Sequence, residues 1–258
     1  MITSAQNSKI KLVRALSGRA KERRAAGAFL AEGVHLVQEA LGGGWDFQFV
    51  LYDESLREKG KTQLEGLTSH GVDVEEISAN LMRSISETET PQGILAVLNE
   101  SRLPIPTSPN FLLIPDQIRD PGNLGTLLRT AAAAGVQAVL IPPETTDAFA
   151  PKVVRSGMGA HFRLPIHSVA WDEVEKLTKG MHVYVADMEG QSCWETDLRP
   201  PIALIVGSEA EGASESAHKL AGMKISIPMK GNMESLNAGV AGSVLIMEVV
   251  RQRSNGPP

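Results

Sequence analysis

The order of apolar and polar residues divides the chain into two textures that meet near residue 100. In the first, helical patterns cover roughly 7–16, 18–26 and 32–41, where Val34, Leu36, Val37 and Leu41 recur at helical spacing. Apolar runs at Phe47–Leu51, Val72–Ile77 and Ile94–Leu98 predict strands separated by polar helical stretches, so residues 1–100 read as a small α/β domain. Ser101–Asn110 holds three prolines in ten residues. Proline removes backbone donors and blocks a continuous helix or inner strand, so 101–110 reads as a linker. From 111 to 258 the alternation is regular. Strands are predicted at Phe111–Pro115, Ala138–Ile141, Leu164–His167, His182–Ala186, Ile202–Val206 and Lys224–Ile227, with helices at 121–134, 147–157, 171–179, 212–221 and 236–252. Continuous apolar strands alternating with helices predict a mostly parallel sheet covered on both faces. In such a sheet, sites form in the loops that leave the carboxyl ends of the strands.

Composition narrows the class. Hydrophobic residues make up 42% of the chain, and no run approaches the roughly 18 apolar residues of a membrane helix. Met1–Arg24 is basic and amphipathic, without the apolar core or small-residue cleavage site of a secretory signal, so the expected location is the cytoplasm. Cys193 is the only cysteine, which excludes an intrachain disulfide framework and a CxxC site. The six histidines show no HxxxH spacing, and no metal is expected. The net charge of −5 conceals an asymmetry, because residues 1–30 carry seven basic groups against Glu22 alone, whereas residues 31–100 carry four against thirteen acids. A basic arm on an acidic protein predicts local contact with a polyanion through Lys9, Lys11, Arg14, Arg19, Lys21, Arg23 and Arg24. A solvated helix face is the alternative.

Three segments carry candidate chemistry. In Asp116–Thr130, Asp120 is a candidate N-cap, Pro121 a favoured first helical residue and Gly135 a stop. Gly125 and Arg129 lie four apart on one helix face, so the absent side chain leaves room for a phosphate or ribose beside the guanidinium. A surface ion pair of Arg129 is the competing reading. In Ile202–Ser214, a buried strand opens into a loop with Gly207, Glu209, Glu211 and Gly212, which either receives a flat ligand or is an ordinary turn before a helix. It matches neither a P-loop nor a dinucleotide GxGxxG motif. In Ile225–Val244, Ser235 and Asn237 line a turn into a helix, either as functional groups or as caps. The small residues from Ala238 to Ser243 permit close approach of another chain segment, with Leu236, Val240, Val244, Leu245 and Val249 expected in the core.

Together these segments resemble the SpoU (TrmH-like) branch of the SPOUT RNA methyltransferases. The resemblance rests on Asn123, Gly125 and Arg129, on the Gly-Ser-Glu-x-x-Gly loop at Gly207–Gly212, and on Ile227-Pro-Met-x-Gly-x-x-x-Ser-Leu-Asn237. It extends to Phe-Leu-Ala-Glu-Gly at 29–33 and Glu-Thr-Pro-Gln-Gly-Ile at 89–94, phrases that look like the family's N-terminal substrate-binding domain. It implies a C-terminal α/β domain knotted as a trefoil, a smaller ribosomal-protein-like α/β domain before it, and a homodimer whose sites use both subunits. It also implies S-adenosylmethionine held around Gly207, Ile227 and Leu236, and 2′-O-ribose methylation of RNA, preferentially large-subunit ribosomal RNA. Arg129, Asn123, Glu209, Ser235 and Asn237 would form the catalytic set, with Asn123, Ser235 and Asn237 holding the ribose or Arg129, and Glu209 organising the loop or the cofactor. Lys9, Lys11, Arg14, Arg19, Arg23 and Arg24 would meet RNA. A transfer-RNA methyltransferase of the same family and a non-catalytic RNA-binding protein are the alternatives.

Overall fold

Asn7, whose side chain accepts from the Lys9 amide, starts α1 (Ser8–Ser17), and Gly27, at φ 56°, ends α2 (Ala20–Ala26). The first unit continues with β1 (Ala28–Glu32), α3 (Val34–Gly42), β2 (Phe47–Tyr52), α4 (Glu58–Ser69), β3 (Val74–Glu76), α5 (Ala79–Ile85) and β4 (Ile94–Asn99). Its four-stranded sheet has the order β1-β4-β2-β3, with β4 antiparallel to both neighbours and β3 parallel to β2. The core joins Ile10, Val13 and Leu16 of α1 to Leu30, Leu51, Leu95 and Val97 of the sheet and Met82 of α5. Strand β1 has no counterpart in the sequence pattern. Four of its five residues are buried, so it shows no apolar–polar alternation, and it follows directly on a helical stretch. The computed structural model describes residues 1–101, 103–231 and 235–254.

The second unit contains β5 (Phe111–Pro115), α6 (Pro121–Ala133) and β6 (Ala138–Ile141). It then resumes with β7 (Ile166–Ser168), α8 (Trp171–Leu177), β8 (His182–Ser192), β9 (Ile202–Val206), α9 (Glu215–Leu220), β10 (Met223–Ser226) and α10 (Ala238–Ser254). The segment between β6 and β7 packs with the first unit. The compact units are Met1–Ser101 with Phe149–Phe162, and Arg102–Ala148 with Arg163–Pro258. Aromatic packing explains the assignment of Phe149–Phe162, which contains α7 (Pro151–Gly157). The Phe29 ring lies 5.0 Å from Phe149 and 6.3 Å from Phe162, and Trp45 donates its indole N–H to the Phe162 carbonyl at 3.2 Å. Such pairs contribute beyond their buried area.

All pairings in the six-stranded sheet, ordered β10-β8-β9-β5-β6-β7, are parallel. Strand β5 pairs with β6, which follows it, and with β9 on its other side, so the order reverses at β5/β9, where a crevice is expected at the carboxyl ends. Strand β8 is longer than predicted and interrupted. Its register with β10 jumps from Lys224↔Val185 to Ile225↔Gln191, which takes Ala186–Gly190 out of the ladder. Gly190 makes the crossing possible, because a Cβ there would stand 2.5 Å from the Ile225 nitrogen and 2.6 Å from the Lys224 carbonyl carbon. Among the described residues no helix is long and apolar enough to cross a membrane. Since backbone on both strands must shift to admit a methyl group, Gly190→Ala should destabilise the protein by about 1–3 kcal/mol, read as a lower urea midpoint. An unchanged midpoint would show that the strands do not approach this closely.

Candidate active site

Three strand ends and the start of α10 enclose a cleft of about 430 Å³. Ala186, Asp187 and Met188 of the β8 bulge form one wall, and Gly207–Ala213 after β9 form another. Ile225, Ile227, Ser235 and Leu236 come from β10 and the turn that follows, and Ala238, Ala241 and Leu245 come from α10. Gly207, Ile227 and Leu236 therefore line one cavity, together with Glu209 and Ser235. Residues 232–234 of the third segment lie outside the described residues. Asp187 donates nothing but accepts from the Lys224 ammonium at 2.8 Å, and that bond holds its carboxyl below the usual range, leaving a carboxylate beside the cleft.

The loop after β9 is a tight turn. Ser208 and Gly212 exchange backbone hydrogen bonds at 2.8 and 3.1 Å, and the Glu211 amide donates to the Ser208 hydroxyl at 3.2 Å. A Cβ on Gly207 would lie 2.4 Å from backbone atoms of Gly212 and Ala213, so glycine is required for this close approach. The helix expected from 212 begins only at Glu215, capped by Ser214, which leaves the acids of the loop outside it.

Glu209 is the meeting point of the three segments. Its Oε1 accepts from the Asn123 side-chain amide at 2.8 Å, from the Ala238 backbone at 2.9 Å and from the Asn237 side-chain amide. Asn237 also donates to Asn123 Oδ1 at 2.9 Å, while its own Oδ1 accepts from the Val240 amide at 3.2 Å. Capping and network formation, posed as alternatives for Asn237, are thus performed by one side chain. Asn123 is placed by Asp120, which caps α6 and accepts its amide at 2.9 Å, with Pro121 in the first turn.

Arg129 is exposed on α6 and forms no hydrogen bond or ion pair with a described residue. It is therefore not held by Asn123 or Asn237 in this chain, and it does not make the surface ion pair considered for it. Sequence reasoning assigned no role to Asp116. This residue directly ends the apolar run of β5 and is fully buried. Its Oδ2 accepts from the Ser214 amide at 2.6 Å, tying down the far end of the Glu209 loop, and its Oδ1 has no hydrogen-bond partner. A charged residue abutting an apolar strand was the available signal. Among the described residues no cluster of three or more His, Cys, Asp and Glu side chains is arranged to hold a metal ion.

The basic arm needs two corrections. Lys9 is bonded to Asp73 at 2.6 Å and Glu75 at 2.8 Å and lies over the Phe49 ring, because α1 turns that face toward β3. Arg23 is 4% exposed and donates to the Leu16 and Gly18 carbonyls at 2.7 and 2.9 Å, satisfying the end of α1. Lys11, Arg14, Arg19 and Arg24 remain exposed.

Known proteins resemble this chain over nearly its whole length. Residues 110–247 match the SpoU rRNA Methylase family, and residues 7–96 match the MRM3-like substrate binding domain. The chain is 36% identical to 23S rRNA (guanosine(2553)-2'-O)-methyltransferase RlmP of Bacillus subtilis, over 95% of this chain and 97% of that protein. The crystal structure of the SpoU methyltransferase AviRb from Streptomyces viridochromogenes in complex with AdoMet superposes with a TM-score of 0.84 at 28% identity, covering 97% and 100% of the two chains. An AdoMet-bound rRNA methyltransferase from Sinorhizobium meliloti gives 0.85 at 29% identity, covering 97% of each. If Asp116 anchors the loop through Ser214, Asp116→Ala should cost about 1–3 kcal/mol in urea unfolding. Asp116→Asn, which keeps an acceptor for the amide, should recover that loss, and equal losses in both variants would contradict the tether.

Proposed function

This chain belongs to the SpoU rRNA methylase family, and from that premise we propose that it methylates a ribose 2′-hydroxyl of large-subunit ribosomal RNA, with S-adenosylmethionine as donor. The observation that carries the proposal is the Asn123–Glu209–Asn237 network set against a cleft of about 430 Å³, within the range of small-molecule sites. The cleft fits the donor in chemistry. Ile225, Ile227, Leu236 and Leu245 offer apolar walls for a flat base, while Ser208, Ser226 and the Asp187 carboxylate offer partners for hydroxyl and ammonium groups. Gly207, Ile227 and Leu236 would hold it. When bound, S-adenosylmethionine supplies a methyl group already activated by its positive sulfur.

What this chain's residues must do is align the attacking hydroxyl and manage its proton. Asn123, Ser235 and Asn237 orient the ribose, and Glu209 keeps two of them in register. A guanidinium offers five donors and no acceptor, which makes it a poor base, so Arg129 orients the RNA phosphate and stabilises the developing alkoxide. In this reading Arg129 completes the site of the other subunit of a homodimer. Three features support that: Arg129 has no partner among the described residues, Thr126 one turn away lines an apolar groove, and the same groove contains Trp194, Val240 and Met247, which are 47%, 47% and 49% exposed. Val240 thus leaves the core position expected of it, and an apolar face of α10 is available for a second copy.

The first unit would bind structured RNA through Lys11, Arg14, Arg19 and Arg24, which supply an electrostatic hold without sequence preference. The relative RlmP, a 23S rRNA 2'-O-methyltransferase by name, supports the ribosomal substrate, and the same reading places the protein in the cytoplasm with that RNA. It includes a trefoil knot in the second unit, supported by the close backbone approach of β8 and β10 at Gly190.

Incubated with labelled donor and separated RNAs, the protein should methylate large-subunit ribosomal RNA and leave transfer RNA unlabelled, and Arg129→Ala should lower the rate about 10²–10³-fold. Label on transfer RNA alone, or on no RNA, would sink the proposal. Mixing Arg129→Ala with Asn237→Ala chains should restore about a quarter of wild-type activity, because half the dimers then contain one intact composite site. Failure of complementation would place Arg129 in its own subunit's site.

A further inference from the structure

A second cavity, of about 230 Å³, lies between the start of α6 and the Glu209 loop. Ser208, Glu209, Ala210, Glu211 and Ala238 line both it and the larger cleft, so the loop is a common wall. Its lining brings Asp120, Glu209 and Glu211 together with a single cation, Arg119. An RNA strand delivering a ribose to this wall carries a phosphate on each side of it, and three nearby carboxylates repel that phosphate unless a positive group intervenes.

Arg119 is built for such a contact. Its backbone is fixed, since Ile118 is buried and its carbonyl accepts from the Thr146 amide at 2.9 Å, while Asp120 on the other side caps α6. Gln117 and Glu144 hold left-handed conformations, φ 54° and 69°, and bond to each other at 3.2 Å, which pins the turn just before Arg119. Left-handed residues other than glycine persist only where their surroundings over-determine them. The guanidinium, in contrast, is loosely held. Among the described residues it makes one ion pair, of 3.3 Å to Glu211, with side chains 66% and 61% exposed. Exposed single-contact pairs are weak, whereas a phosphate offers the guanidinium two parallel hydrogen bonds.

We propose that Arg119 is a phosphate-binding residue of the RNA acceptor site, and that Glu211 occupies the place which a backbone phosphate takes when RNA binds. This deepens the methyltransferase reading and rests on it. Arg119 binds and positions; the transfer itself depends on the residues described above.

Binding of a large-subunit ribosomal RNA transcript, measured by filter retention over a salt series, tests the exchange separately from methyl transfer. Arg119→Ala should weaken binding about tenfold and reduce the salt slope by about one, as expected for loss of one phosphate contact. Glu211→Gln, which removes the competing carboxylate, should tighten binding about threefold, the opposite sign. Calorimetric affinity for S-adenosylmethionine in Arg119→Ala should stay within about twofold of wild type, because Arg119 lies outside the cofactor cleft. RNA affinity unchanged in Arg119→Ala, or weakened in Glu211→Gln, would overturn the inference. A wild type that binds RNA with this pattern yet transfers no methyl group would overturn the reaction and leave the Arg119 assignment standing.

Discussion

One carboxylate oxygen, Glu209 Oε1, receives hydrogen bonds from three donors that are remote in sequence: the Asn123 side chain, the Asn237 side chain and the Ala238 backbone. Bonds to a charged acceptor are shorter and stronger than neutral ones, and three converging on one atom fix the relative positions of their carriers. The carriers are the first turn of α6, the loop after β9 and the start of α10. Without that point of attachment the cofactor cleft and the acceptor side would be separate pieces of surface. With it, the same loop forms a wall of both.

The rest of the second unit can be understood as what keeps Glu209 there. A parallel sheet delivers β5, β9 and β10 with their carboxyl ends in one direction, and the reversal of strand order at β5/β9 sets the α6 start beside the Glu209 loop. Asp116, the first residue beyond β5, grips the far end of that loop through Ser214. Gly207 and Gly190 let backbones pass at distances no side chain would permit. Gly242 of α10 leaves room for the end of the Leu127 side chain of α6, whose Cδ2 would lie 2.3 Å from a Cβ there. These contacts are local costs in helix and strand propensity, tolerated because they bring α10 and α6 close enough for Asn237 to meet Asn123.

Much of this was legible in the sequence, for physical reasons. Strands buried on both faces appear as unbroken apolar runs, so β5, β6 and β9 stand at their predicted limits. Asp120 with Pro121 announces a helix start through chemistry confined to one turn. Other features depend on partners far along the chain. β1 is completed by β4 some 66 residues later, Lys9 is claimed by Asp73 and Glu75, and Phe149–Phe162 is assigned by rings at Phe29 and Trp45. No window of local periodicity contains both members of such pairs. The candidate site shows the same division: its residues are identifiable as types at spacings, but only the fold reveals that Glu209 gathers Asn123 and Asn237 while Arg129 stands exposed on α6.

In the proposed reaction the methyl group goes to a ribose oxygen and to no base. Alkaline hydrolysis of labelled RNA decides it, because cleavage needs a free 2′-hydroxyl to attack the neighbouring phosphate, and a methylated one has lost its nucleophile. Label incorporated into large-subunit ribosomal RNA should emerge in alkali-resistant dinucleotides. Label recovered in mononucleotides would mean base methylation and would rule out transfer to the ribose.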